Sequence, residues 1–229
     1  MQLYFSGESL RNTKLVLRMM GVSVSHVTIY KWIGKYVELM NDYLERITPQ
    51  VSGVWRTDEM YVKFMGKVNY VFAMMDDDTR YWIAQQVAEH KGTSDVTPMF
   101  RDAVETAEKK PAILISDGAH NFEEAFHKEY YSNKQDCKHI RHISLKGDKN
   151  NNKMERLNGE TRDREKVCRG LKNTNTPVLK GYQLYHNLVR PHEALGGKTP
   201  AEAAGIKIEG DDKWMAIIQN ASQHASDFI

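Results

Sequence analysis

Only two cysteines, Cys137 and Cys168, occur in 229 residues. That excludes a disulfide framework and any CxxC redox or zinc pair. His139 and His142 follow Cys137 closely, but a second cysteine at ligand spacing is missing, so ordinary buried residues are expected there in place of a zinc centre. Long apolar runs are lacking too. Stretches such as 71–75 and 112–115 fall far short of the roughly 20 residues a bilayer crossing needs. The first residues, Met1-Gln2-Leu3-Tyr4-Phe5-Ser6, do not have the charged-then-apolar layout of a signal peptide. Internal repeats and low-complexity tracts are absent. With 41% hydrophobic and 27% charged residues, the composition fits neither a disordered tail nor a membrane protein. A cytoplasmic, nucleoid-associated chain is expected, with one medium domain and an appendage or two small domains.

A strong net charge is missing as well; the formal total is +2. Its distribution says more. Residues 138–172 hold eleven Lys/Arg against five Asp/Glu, a local surplus of six positive charges. Such a stretch suits nucleic acid, or forms a solvated helix face with i,i+4 ion pairs. Residues 7–36 read as two short helices. Ser9 caps the first, whose apolar positions are Leu10, Leu15, Val16, Leu17 and Met20, and Gly21 closes it. Ser25 caps the second, with Val27, Ile29, Tyr30, Trp32 and Ile33 at helical spacing. A helix-turn-helix could lie in the major groove, offering Ser25, His26, Thr28, Lys31 and Lys35 to DNA. Residues 37–50 continue as helix or as a linker, with Pro49 as breaker.

The character then changes to β-rich runs at 54–64, 68–75 and 81–87, separated by Met65-Gly66-Lys67 and Asp77-Asp78-Thr79-Arg80 turns. A helix capped at Thr93-Ser94 leads to the apolar run 111–117, which reads as a strand buried on both faces. A helix over 121–130, a strand over 140–145, a polar loop over 146–152, a long helix from about 152 to 169 and a helix over 182–188 follow. The order β-β-β-α-β-α-β-α predicts an α/β fold with a mixed sheet flanked by helices, a ribonuclease-H-like arrangement.

Three acids stand where this layout places chemistry. Asp58 lies mid-strand between Trp55 and Tyr61, where a carboxylate is costly unless paired or metal-bound. Asp117 ends the buried strand, where open α/β sheets present ligands. Glu155 lies early in the long basic helix. Mg²⁺ takes oxygen ligands and keeps several waters, so three acids suffice for a two-ion site. Read singly, each has a plainer role: Asp58 as a strand-edge residue, Asp117-Gly118 as a turn, Glu155 as a partner of Arg156 or Arg162. Asp76, Asp77 and Asp78 form a rival acidic cluster where the hairpin needs turn residues.

Between Asp58 and Asp117 lie 58 residues, and 37 lie between Asp117 and Glu155. The stretch Asn151-Asn152-Lys153-Met154-Glu155-Arg156-Leu157-Asn158 follows an N-x-x-x-E-R-x-N pattern, and 185–205 runs Tyr-His-Asn-Leu-Val-Arg-Pro-His-Glu-Ala-Leu before a Thr199-Pro200 helix start. Spacing and motifs together resemble the DDE transposases of bacterial and archaeal insertion sequences, of the insertion-sequence-six type and related to retroviral integrases. The likeness covers roughly 50–205, with 1–36 similar to the family's DNA-binding helices. Many relatives carry further residues or a zinc-binding segment ahead of those helices, so a truncated copy is one expectation.

The resemblance implies a small helix-turn-helix over 1–36, a ribonuclease-H-like integrase catalytic core over 51–205 and a tail over 206–229. It also implies two Mg²⁺ ions, with Mn²⁺ as substitute, on Asp58, Asp117 and Glu155, Asp58 bridging. Strand cleavage and joining at transposon ends then need no protein nucleophile. Around Glu155, Asn151 and Asn158 share its face and could touch DNA or orient the acid, while Lys153, Arg156, Arg162, Arg164 and Lys166 are candidates for phosphate. Arg190 and His192 could assist, or cap a turn. DNA and a homodimer or larger assembly are the implied partners. A metal nuclease of the same fold and a silent DNA-binding relic are the rivals.

Overall fold

Three helices open the chain. In the computed structural model, which describes residues 1–132, 137–141, 151–168 and 177–226, they are α1 (Gln2–Phe5), α2 (Leu10–Met19) and α3 (His26–Leu44). Ser9 Oγ accepts from Asn12 N and Ser25 Oγ from Thr28 N, so both expected caps form. Gly21 takes φ 85° beyond α2, a left-handed conformation that suits glycine. Of the two forms open to residues 37–50, the helix is taken first: residues 37–44 continue α3 without a break. Ile29, Ile33, Val37 and Met40 fall on one buried stripe, and burying that stripe sustains the helix. In α2 only Thr13 is buried, while Leu15 and Met19, and Met20 just beyond the helix, are exposed.

β1 (Val54–Phe64) and β2 (Lys67–Asp76) pair antiparallel, with Asp58 opposite Ala73; β3 (Trp82–Ala88) completes the meander. The chain crosses through α4 (Thr93–Ala107) to β4 (Ile113–Ser116), then through α5 (His120–Glu129) to β5 (Lys138–Arg141). Gly92, not Thr93 or Ser94, is the N-cap of α4, because Asp95 folds back onto its N–H. The last strand starts earlier than expected, at Lys138; the expected continuation over 142–145 and loop over 146–150 lie outside the described residues. Strand order is β3-β2-β1-β4-β5, with β4 parallel to both neighbours. This is the mixed, ribonuclease-H-like sheet that the element order predicts.

Alternation along β1 decides which layer each residue meets. Trp55 meets Tyr130 at the end of α5 on one face. Asp58 meets Asn158 of α6 (Asn152–Cys168) on the other. After α6 come α7 (Pro177–Leu184), a π-helical turn over Tyr185–Val189, α8 (Pro200–Ala203) and α9 (Lys213–Ser226). Thr199 and Glu202 form a reciprocal cap at α8. Trp214 of α9 stacks on Phe5 and Tyr185, and its indole N–H donates to Gln2. Buried side chains from Tyr4 to Ile217 form one continuous core. Gly181 permits a close approach within it, since a Cβ there would sit 2.2 Å from Phe5 Cζ and 2.8 Å from Val37 Cγ2.

Candidate active site

β1 pairs with β4 only over 54–56, so beyond Arg56 the β4 edge of β1 is open. Asp117 follows the last residue of β4 and stands beside that opening. Asp58 and Glu59 belong to opposite faces of β1, yet no strand separates them there. Carboxylate oxygens of Asp58, Glu59 and Asp117 all lie within 4.8 Å of one another. Asn158 Nδ2 donates to Asp58 Oδ2 at 2.9 Å, and the Glu59 N–H to Asp58 Oδ1 at 3.0 Å. Asp117 Oδ1 accepts from the Ala119 N–H at 3.0 Å. Glu59 Oε2 is buried with no hydrogen-bond partner among the described residues, and Lys91 reaches only to 3.9 Å of Glu59 Oε1.

Such crowding is unfavourable while all three groups are ionised. Burial first, and then the Asp117 charge, push the Asp58 carboxyl up to about 7; Glu59 and Glu155 add to the rise. Burial and Asp117 raise Glu59 as well, against the pull of Lys91. Under-neutralised carboxylates, an orphaned buried oxygen and an all-oxygen donor set fit a hard divalent cation.

Glu155 is exposed on the first turn of α6 and acts on Asp58 through its charge. Among the described residues, the three acids tight enough to share one ion are thus Asp58, Asp117 and Glu59, with Glu155 outside that set. Strand alternation sends Glu59 to the face opposite Asp58, and the open edge that reunites them is tertiary. The two asparagines of the helix motif both face β1. Asn158 orients Asp58, and Asn151 Nδ2 lies 3.4 Å from the Thr57 carbonyl; the Oδ1 atoms of both are buried without partners.

A family model described as a DDE domain, of the IS240 transposase type, matches residues 52–192. The chain belongs to the DDE transposase family. The matched span contains Asp58, Asp117 and Glu155. This transposase-family chain is 26% identical over 134 residues to the transposase for insertion sequence-like element IS431mec of Staphylococcus aureus, covering 56% of itself and 58% of that relative. The figures are the same for the transposase for insertion sequence element IS257 in transposon Tn4003 of Staphylococcus aureus. The alignment thus spans under two thirds of the length of these curated relatives. In fold it is similar to a chain of the simian T-cell lymphotropic virus intasome in complex with PP2A regulatory subunit B56 gamma. That likeness has a TM-score of 0.51 at 13% identity, covering 69% of this chain and 56% of the other.

The basic candidates separate once placed. His26, Lys31 and Lys35 are exposed on α3, while the Thr28 hydroxyl is engaged with Ser25 Oγ. Arg156, Arg162 and Lys166 are exposed on α6, Lys166 pairing with Asp163. Two more are engaged within the chain. Arg164 is buried: its guanidinium donates twice to the Glu8 carbonyl at 3.1 Å and lies 3.9 Å from the Tyr4 ring centre, so it ties α6 to the N-terminal helices. Lys153 is held by Asp77, at 2.6 Å from Oδ1 and 2.9 Å from the carbonyl.

The rival acids are satisfied internally. Asp76 is fully buried and accepts from Ser52 N and Oγ and from Thr79 N and Oγ1. His139 stacks on Phe126 and bonds Ser116 Oγ, beside the buried Cys137; His142 lies outside the described residues. Among the described residues no helix is long and apolar enough to cross a membrane.

Proposed function

We propose that this chain is a DNA strand transferase that cleaves and joins DNA at transposon ends. The observation that carries the reading is the convergence of Asp58 with Asp117 at the open edge of β1, inside the span matched by the DDE domain. Mg²⁺, replaceable by Mn²⁺, would be held as two ions by Asp58, Asp117 and Glu155, and would supply activation of the attacking oxygen and neutralisation of the leaving one. Asn158 fixes the Asp58 carboxylate from one oxygen, leaving lone pairs on both oxygens for a cation. The Asn151–Thr57 contact seats the start of α6 over β1 and so carries Glu155 toward Asp58. Chemistry of this kind rests on positioning and charge neutralisation, so these orienting amides belong to the machinery. Helices over 1–36 would read DNA through His26, Lys31 and Lys35, and two transposon ends call for a dimer or larger assembly.

The test is transfer of a labelled, pre-cut transposon-end oligonucleotide into plasmid with Mg²⁺ or Mn²⁺, comparing wild type with Asp58→Asn. Joined product from wild type alone is expected. Cleavage without joining would make the chain a nuclease of the same fold. Binding without any metal-dependent product would make it a DNA-binding relic.

A further inference from the structure

Beyond the carboxylates, a second cluster gathers where three segments meet: the turn after β2, the first turns of α6, and the π-helical turn with the residues following it. The β2 turn is locked on both sides. Asp76 Oδ2 accepts from Thr79 N and Oγ1, and His186 Nε2 bonds the Arg80 carbonyl at 3.0 Å. Arg80 itself sits at φ 61°, in the left-handed region where glycine or asparagine is the easier occupant. An arginine held in that conformation, on a clamped turn, invites a role for its side chain.

Two acids serve the cations here. Asp77 takes Arg56 at 2.5 Å and Lys153 at 2.6 Å. Glu160 pairs with Arg190, and Arg156 stands 3.6 Å from its other oxygen with 68% of its side chain exposed. Arg80 pairs with no carboxylate among the described residues, although it is half-buried. Among the described residues, then, Arg80, Lys153, Arg156 and Arg190 draw on Asp77 and Glu160, and Asp77 is shared with Arg56. The neighbouring His186 and His192, with ring centres 4.7 Å apart, are held neutral by burial and by these same cations. Burial, together with the charges of Arg156 and Arg56, lowers Arg80 against the pull of Asp77. A surplus of positive charge, part of it desolvated, is relieved by an anion with several acceptor oxygens.

We propose that Arg80 and Arg156 form a phosphate subsite that grips the DNA backbone beside the carboxylates. Arg156 follows Glu155 directly, and Arg56, tied into the same cluster, precedes Asp58 by two residues on one face of β1, about 6.6 Å at strand rise. A phosphodiester gripped there lies alongside the reacting strand. The assignment of DNA as the ligand rests on the strand-transferase reading; the phosphate subsite itself does not.

The experiment is metal-free binding of the full chain to a labelled duplex of arbitrary sequence, followed by fluorescence anisotropy across a salt series. The variants are Arg80→Asn, Arg156→Gln and the double substitution. Asparagine suits the left-handed backbone, so Arg80→Asn should retain the wild-type circular dichroism and melting midpoint. Each single change is expected to lower the log–log salt slope by about 0.9 and the double change by about twice that. Lys128→Gln, on α5 across the sheet, should leave it unchanged. Unaltered slopes in both Arg80→Asn and the double variant overturn the subsite. Should wild type bind no DNA, the strand-transferase reading fails and inorganic phosphate decides the subsite. A rise in melting midpoint with phosphate over chloride at matched ionic strength, lost in Arg80→Asn, upholds it; no such rise overturns it.

Discussion

Two acidic clusters lie on one sheet, and their surroundings are opposite. Asp76 and Asp77 end β2 and are saturated: Asp76 accepts four hydrogen bonds, and Asp77 holds two cations. Burial pushes Asp77 up, but hydrogen bonds and charges from Lys153 and Arg56 outweigh it and hold the group below the usual carboxylate range. Asp58, Glu59 and Asp117 are short of donors and cations, and Asp58 rises to about 7. The first cluster spends its charge on the fold. The second leaves charge uncompensated, which is the condition for taking up something from outside. Proximity of acids alone does not distinguish the two; the count of donors around them does.

That contrast breaks most visibly if chemistry tracks the wrong cluster. Asp58→Asn should cut strand-transfer product by at least about 10³-fold in the plasmid assay, with the circular dichroism of the wild type retained. Asp76→Ala should act on the fold instead, costing about 3 kcal/mol in urea denaturation by stranding the Ser52 and Thr79 donors.

The pH dependences should also run in opposite senses. Asp58 is raised in the fold, so its contribution to metal-free stability is present below about pH 4 and lost as pH rises through about 7. Asp58→Asn should remove that loss, on the order of 2 kcal/mol at pH 8, in denaturant midpoints taken with chelator. Asp77 is lowered, so its contribution is present at neutral pH and lost as pH falls below about 4; Asp77→Asn should flatten the acid limb. A smaller effect comes from Mg²⁺: at tenfold its Kd it should stabilise wild type by about 1.4 kcal/mol and leave Asp58→Asn unmoved. The smallest concerns cations judged by the same accounting. Arg162→Gln should reduce the DNA-binding salt slope by up to about one unit, while Arg164→Gln should lower stability and leave the slope alone.

Much of this was legible in the chain. The β-rich runs with their turn residues, the Ser9 and Ser25 caps and the Thr199–Glu202 start act over a few residues, so local patterning suffices to find them. The Asp58–Asp117 pairing follows from strand order together with family spacing. Glu59 was hidden because alternation assigns it to the far face, and only the shortness of the β4 pairing lets it come round. Arg164 read as a phosphate ligand because helix periodicity does not say what an N-terminal carbonyl will do 156 residues away in sequence. Arg80 reads as a turn residue for the same reason, since the groups around it come from α6 and the turn after α7. By itself the sequence determined the elements, their order and the family to which the chain belongs, because these depend on local conformational preference and on motif. Tertiary structure alone decided which charges are neutralised and which are left over. Electrostatic balance is set by neighbours through space, and those neighbours come from segments a hundred residues apart.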